Sequence, residues 1–113
     1  MNVKDENEKK RLAAEASPQL VFALNHELRR NILRLMLRRG KGAVISPAEV
    51  SEKLERPLGN VSYHFRVLAA NCAVTLAGTR KVRGSTEHLY RRSDELADNR
   101  WVTNALRATK VVD

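Results

Sequence analysis

Apolar residues recur along this chain at helical spacing, switch to alternation near residue 74, and return to helical spacing after residue 93. The clearest helix is 26–39, HELRRNILRLMLRR. Leu28, Ile32, Leu35 and Met36 fall at i, i+4, i+7 and i+8, one apolar stripe, with Leu33 and Leu37 beside it. Arg29, Arg30, Arg34 and Arg38 fill the remainder, and Gly40 and Gly42 end the helix. Upstream, Ser17-Pro18 has the form of an N-cap followed by a helix-opening proline, leading into the apolar QLVFALN. Ala43 to Ile45 fits a short strand.

Ser46-Pro47-Ala48-Glu49 reads as a capping box with proline at the first helical position. The helix it starts runs to about Glu55, buries Val50 and Leu54, and is broken by Arg56-Pro57. A second helix begins near Pro57 or Leu58 and continues to about Ala70. Its stripe is Leu58, Val61, Phe65 and Leu68, and its opposite face carries Gly59, Asn60, Ser62, Tyr63 and Arg66. Val74 and Leu76 then alternate with Thr75 and Ala77, a half-buried strand. Val82 to Ser85 turns the chain, and Thr86 to Arg91 returns it. Ser93, with Asp94 and Glu95 behind it, caps a last helix whose stripe is Ala97, Trp101, Ala105 and Ala108, with Val102 and Leu106 alongside.

The order of elements predicts a small α+β domain, mainly α. A chain of 113 residues suffices for one modest core, and 42% hydrophobic residues fits a packed domain. Residues 1–16 form a charged N-terminal segment without strong apolar periodicity.

Charge narrows the function. The chain has 21 Lys and Arg against 13 Asp and Glu, a formal charge of +8 that suits a polyanionic partner, nucleic acid before an anionic membrane surface. The excess is local. Residues 17–45 hold six basic side chains against one acidic, and residues 71–92 five against one, whereas the paired helices between them are balanced. The two basic stretches flank the second short helix, where they can meet the phosphate backbones beside a groove.

Other chemistries find less support. The single Cys72 excludes an intramolecular disulfide framework and points to a reducing cytoplasm. The start, MNVKDENEKKR, lacks the apolar core of a signal peptide, and no apolar run is long enough to span a bilayer. His26, His64, His88 and Cys72 fall into no metal-ligand spacing, so neither a metal nor another cofactor is expected. Nucleophile elbow, phosphate-cradling loop and paired carboxylates are all missing, which argues against an enzyme. Cys72 reads as a small packing residue rather than a redox switch.

Two short helices joined by a tight turn, then a hairpin with a basic tip, are built to lie on double-stranded DNA. An α-helix fits the major groove, where each base pair shows a distinct pattern of donors and acceptors. Asn60 suits adenine and Arg66 guanine; Ser62 and Tyr63 offer hydroxyls to phosphate or base edges. Gly59 lets backbone N–H groups approach a phosphate. At the hairpin tip Arg80 and Lys81 can neutralise phosphates, Arg83 can enter the adjacent minor groove, and Ser85 lies beside it. Arg29, Arg34 and Arg38 read as a solvated or phosphate-facing stripe.

The segments VSYHFRVL and RGSTEHLY also resemble the winged helix-turn-helix repressors of the ArsR type, in the branch common in actinobacterial genomes. The resemblance covers about residues 20–92. It implies a homodimeric bacterial transcription regulator, with residues 17–92 as the DNA-binding domain and 93–113 as a dimerisation helix. It implies base and phosphate roles for Asn60, Ser62, Tyr63 and Arg66, a supporting role near the backbone for His64, and the wing role for Arg83. It places the dimer interface on the first and last helices, here Leu20, Phe22, Leu24, Trp101, Ala105, Leu106 and Ala108. The chain departs from that family in two respects. Its first motif helix, SPAEVSEKLE, lacks the paired cysteines of metal-sensing members. Cys72 stands where a glycine is usual, so Asn71 is expected to supply the left-handed turn. The expectation is thus a cytoplasmic, nucleoid-associated regulator on a palindromic operator, with its effector unknown. A non-specific architectural DNA-binding protein and a winged-helix protein adaptor are the alternatives.

Overall fold

The computed structural model describes residues 17–108. The charged segment 1–16 and residues 109–113, where the last helix is expected to end, lie outside the described residues. Helix α1 (Pro18–Ala23) opens on Ser17, whose side chain accepts from the Leu20 N–H. Helix α2 (Glu27–Arg39) opens on His26 and stops at Gly40, whose φ of 92° lies in the region that favours glycine. The α2 core stripe is Leu28, Ile32, Leu33 and Met36, all at most 3% exposed. Leu35, expected in the stripe, packs from its edge with Leu37.

The expected strand at Ala43–Ile45 is a single antiparallel bridge. Ile45 and Tyr90 exchange both backbone hydrogen bonds at 2.9 Å. Helix α3 (Pro47–Leu54) follows, with Ser46 Oγ accepting from the Glu49 N–H at 3.1 Å. Only this half of the capping box forms, because the Glu49 carboxylate is turned to the Arg39 guanidinium. Glu55, at φ 53°, closes α3 in the left-handed conformation, and helix α4 (Leu58–Ala70) starts three residues later.

Helix α4 buries Val61, Phe65 and Leu68 as its spacing predicts. Leu58 departs from the expected stripe and is 51% exposed, since the first turn of α4 projects past the core. The left-handed residue after α4 is Cys72 (φ 62°), not Asn71 (φ −108°), whose Nδ2 donates instead to the Val67 carbonyl at 2.8 Å.

Strands β1 (Val74–Val82) and β2 (Ser85–Arg92) form an antiparallel hairpin closed between Val82 and Ser85. The two turn residues, Arg83 (φ 50°) and Gly84 (φ 81°), both have positive φ, the type I′ geometry that matches strand twist. A bulge between Leu76 and Gly78 breaks the expected alternation, and Leu76 is left half exposed. Tyr90 anchors β2 to the helices by stacking on Phe65, ring centroids 4.8 Å apart.

The expected single last helix is two: α5 (Asp94–Asp98) and α6 (Arg100–Ala108). Asn99 divides them. It is buried and extended (φ −87°, ψ 93°), and its Oδ1 accepts from the Val102 N–H at 3.0 Å, so it caps α6 as a new start. The break rotates the expected stripe. Val102, Thr103 and Leu106 face inward, while Trp101, Ala105 and Ala108 face outward. The fold is α+β, mainly helical: a helix-turn-helix of α3 and α4, with α2 behind it and a β-hairpin wing after it.

Candidate nucleic-acid interface

The free face of α4 is chemically mixed. Gly59, Asn60 and Arg66 are exposed, Tyr63 is 54% exposed, and Ser62 is half-buried. These side chains share one surface because Val61, Phe65 and Leu68 pin the opposite one to the core. Pro57 supplies no side-chain cap to α4, so the first N–H groups of that helix are not claimed by one. Exposed Leu58 extends the surface with an apolar group able to meet a thymine methyl. Periodicity concealed it by assigning Leu58 to the core; its place in the first turn of the helix was the available signal.

On the wing, Lys81, Arg83, Gly84 and Ser85 are all exposed. The type I′ turn holds Arg83 at the tip of the hairpin. Arg80 is also exposed but is not a free cation. Its Nε and Nη2 both donate to Glu87 Oε2, at 3.0 and 2.9 Å, across the paired positions of the hairpin. An open cleft of about 500 Å³ lies between α3 and this pair, lined by Ser46, Glu49, Glu52, Arg80 and Glu87 among others. Its carboxylates make it a poor place for phosphate.

Two expectations about the basic residues are corrected. Arg29 does not belong to a solvated stripe. It is 7% exposed, and it donates from Nε to the Ala23 carbonyl at 3.0 Å and from Nη2 to the Phe22 carbonyl at 3.2 Å. Arg34 is half-buried and donates from Nε to the Leu106 carbonyl at 3.0 Å, tying α2 to α6. Arg38 alone of the three is exposed. The helix-spacing argument placed these side chains opposite the main stripe, but α1 and α6 pack there, and their carbonyls take the guanidinium donors.

His64 is 8% exposed, with Nδ1 3.2 Å from Arg29 Nη1. Burial, then His26, then Arg29 hold its pKa below the ordinary 6.5. Of the residues assigned to a subunit interface, Leu20 and Leu106 belong to the chain's own core, and Leu24 packs against it. Phe22 (52%), Trp101 (46%), Ala105 and Ala108 are exposed. Among the described residues no group of three or more His, Cys, Asp or Glu is arranged to hold a metal ion. No described helix is long and apolar enough to cross a membrane. The Cys72 carbonyl accepts from Ser93 Oγ at 2.5 Å, and burial together with Glu95 pushes the thiol above its ordinary pKa, which disfavours the reactive thiolate.

No protein-family model matches the sequence, and no curated protein sequence matches it either. In solved structures the fold recurs. It is similar to HlyU from Vibrio cholerae N16961, with TM-score 0.54 and 22% identity over 91% of each chain. It is similar to the transcriptional regulator HlyU from Vibrio vulnificus CMCP6, with TM-score 0.55 and 23% identity over 96% of this chain and 94% of that one. NolR from Sinorhizobium fredii superposes over 100% of this chain and 97% of its own, with TM-score 0.52 and 17% identity. The fold is a winged helix.

Proposed function

We propose that the chain is a sequence-specific double-stranded DNA-binding transcription regulator of the ArsR type, without the metal-sensing cysteines, that acts as a homodimer on a palindromic operator and represses. The observation that carries this reading is the face of α4. Asn60, Ser62, Tyr63 and Arg66 stand on one surface of a helix locked to the core by its other side, with the basic type I′ wing following it in the chain. Such a helix inserts its N-terminal half into the major groove, while wing cations contact the backbone or the minor groove nearby. The shared fold supports the reading, because the similar HlyU of V. vulnificus is a transcriptional regulator. The protein is then no enzyme and works in the cytoplasm on the nucleoid.

Pairing follows from area and symmetry. One small domain offers limited surface for specific binding, and a two-fold pair places two recognition helices about 34 Å apart on successive major grooves. The exposed apolar residues suited to pairing are Phe22 on α1 and Trp101, Ala105 and Ala108 on α6. Sedimentation at micromolar concentration tests this. Wild type runs as a dimer, and Trp101→Glu, which places a charge on that face, runs as a monomer with weakened binding to long duplexes. A wild-type monomer that covers a single half-site contradicts the pairing. Absent DNA binding contradicts the function and favours a protein adaptor.

A further inference from the structure

Three segments meet beneath the reading face through nitrogen-rich side chains. Arg29 on α2 closes the carboxyl end of α1 through the Phe22 and Ala23 carbonyls, and its guanidinium carbon stands 5.3 Å from the Phe22 ring centre. The remaining arm, Nη1, reaches His64 Nδ1 on α4 at 3.2 Å. The His26 ring, at the N-cap of α2, lies against the His64 ring, with centroids 4.1 Å apart and planes inclined by 38°. On the outer side Tyr63, a residue of the reading face, meets the His64 ring edge-on at 5.1 Å. One imidazole therefore touches the reading face and, through Arg29, the face of α1 that bears Phe22.

The protonation state of that imidazole follows from donor counting. A guanidinium has donors and no acceptor. The Nδ1 of His64 must then carry a lone pair, so the ring is neutral with its proton on Nε2. The Nδ1 of His26 accepts as well, from the Leu28 N–H at 3.1 Å. A proton on His64 Nδ1 would set donor against donor and a cation beside a buried guanidinium.

The geometry points to Arg29 and His64 as positioning residues that hold the recognition helix in its DNA-reading pose only while His64 is neutral, so that acid releases the DNA. This inference rests on α4 being the DNA-reading helix. The titratable and charged groups that face His64 are His26 before α2, Arg29 on α2 and Tyr63 on α4 itself. His26 and Arg29 both oppose its protonation, as does burial. Because its folded pKa is below the unfolded value, its contribution to stability is present above pH 6.5 and is lost as pH falls from there through the folded pKa. The link is closed at neutral pH and opens on the acid side of the usual histidine range.

Two readouts on the full chain separate the link from the DNA reading. The first uses no DNA: NMR follows the His64 ring between about pH 5 and 8. The ring is expected to titrate below its ordinary value, and its titration to move the amide signals of Phe22, Ala23 and Ser62 to Phe65 together. In His26→Asn, which keeps a capping side chain and removes one opposing ring, the midpoint rises. A midpoint at or above the ordinary value, or a titration that leaves those amides still, overturns the inference. The second readout is affinity for duplex DNA over the same range. Wild type is expected to lose up to about tenfold per pH unit below the His64 midpoint for each recognition helix engaged. His64→Gln, whose amide oxygen accepts from Arg29 but takes no proton, stays flat; an equal slope in that variant overturns the inference. Should His64→Gln not fold, the affinity profile of His26→Asn decides, because its midpoint must move with that of the ring. If no DNA binds at any pH, the function fails while the ring titration still decides the link.

Discussion

On the proposed function, single residues divide the work of DNA binding by chemistry and by what already occupies them. Arg66 and Lys81 are both exposed, but one stands on the helix that suits the groove and the other on the wing. Arg66→Ala is expected to cost about 1–3 kcal/mol on the preferred duplex and to relax sequence choice at one position. Lys81→Ala should weaken binding to all sequences alike and lower the salt slope by about one. Glu87→Gln is the mirror of Lys81→Ala, since it frees Arg80 from its partner and raises the slope. Anisotropy titrations at several salt concentrations check all three, and identical behaviour of Arg66→Ala and Lys81→Ala contradicts the division of roles. The exposed face of α4 was legible in the sequence because a strong core stripe fixes what lies opposite it. The fate of Arg29 was not, because the carbonyls it meets belong to a neighbouring helix whose packing no local spacing encodes. Resemblance implies a place near the backbone for His64, and only the fold shows it buried and bound to Arg29.

Elements were legible where local chemistry decides them. Ser17-Pro18, Ser46-Pro47 and Ser93 each start a helix where expected, since a side-chain oxygen satisfies an N–H that the helix leaves open. The Val82–Ser85 turn is also where expected. Elements that depend on tertiary contacts are less legible in the sequence. Asn99 interrupts an otherwise continuous helical pattern because its buried amide oxygen caps α6, and that break turns Trp101 outward. Asn99→Ala removes the cap and is expected to destabilise the fold by about 1 kcal/mol. Asn99→Ser, which keeps a capping oxygen, should recover most of the loss in a denaturant melt. An alanine variant as stable as wild type would show that the α5–α6 break is not held by this bond. Leu76, just before the bulge, is a second case, for alternation assigns it to the core and it is half exposed.

At the scale of the molecule, the basic excess and the fold point the same way. The net charge of +8 gives general attraction to a polyanion, and on the proposed function the exposed face of α4 would supply what general attraction lacks, a means to choose a sequence. A charged surface alone would coat DNA without preference, whereas a two-fold pair of such helices demands an inverted repeat. The most direct test is selection of bound duplexes from a random library at about 150 mM salt, where screening removes much of the non-specific term. The expected result is enrichment of an inverted repeat whose half-sites are about one helical turn apart. Recovery of unenriched sequence, with binding that vanishes as salt rises, would contradict it.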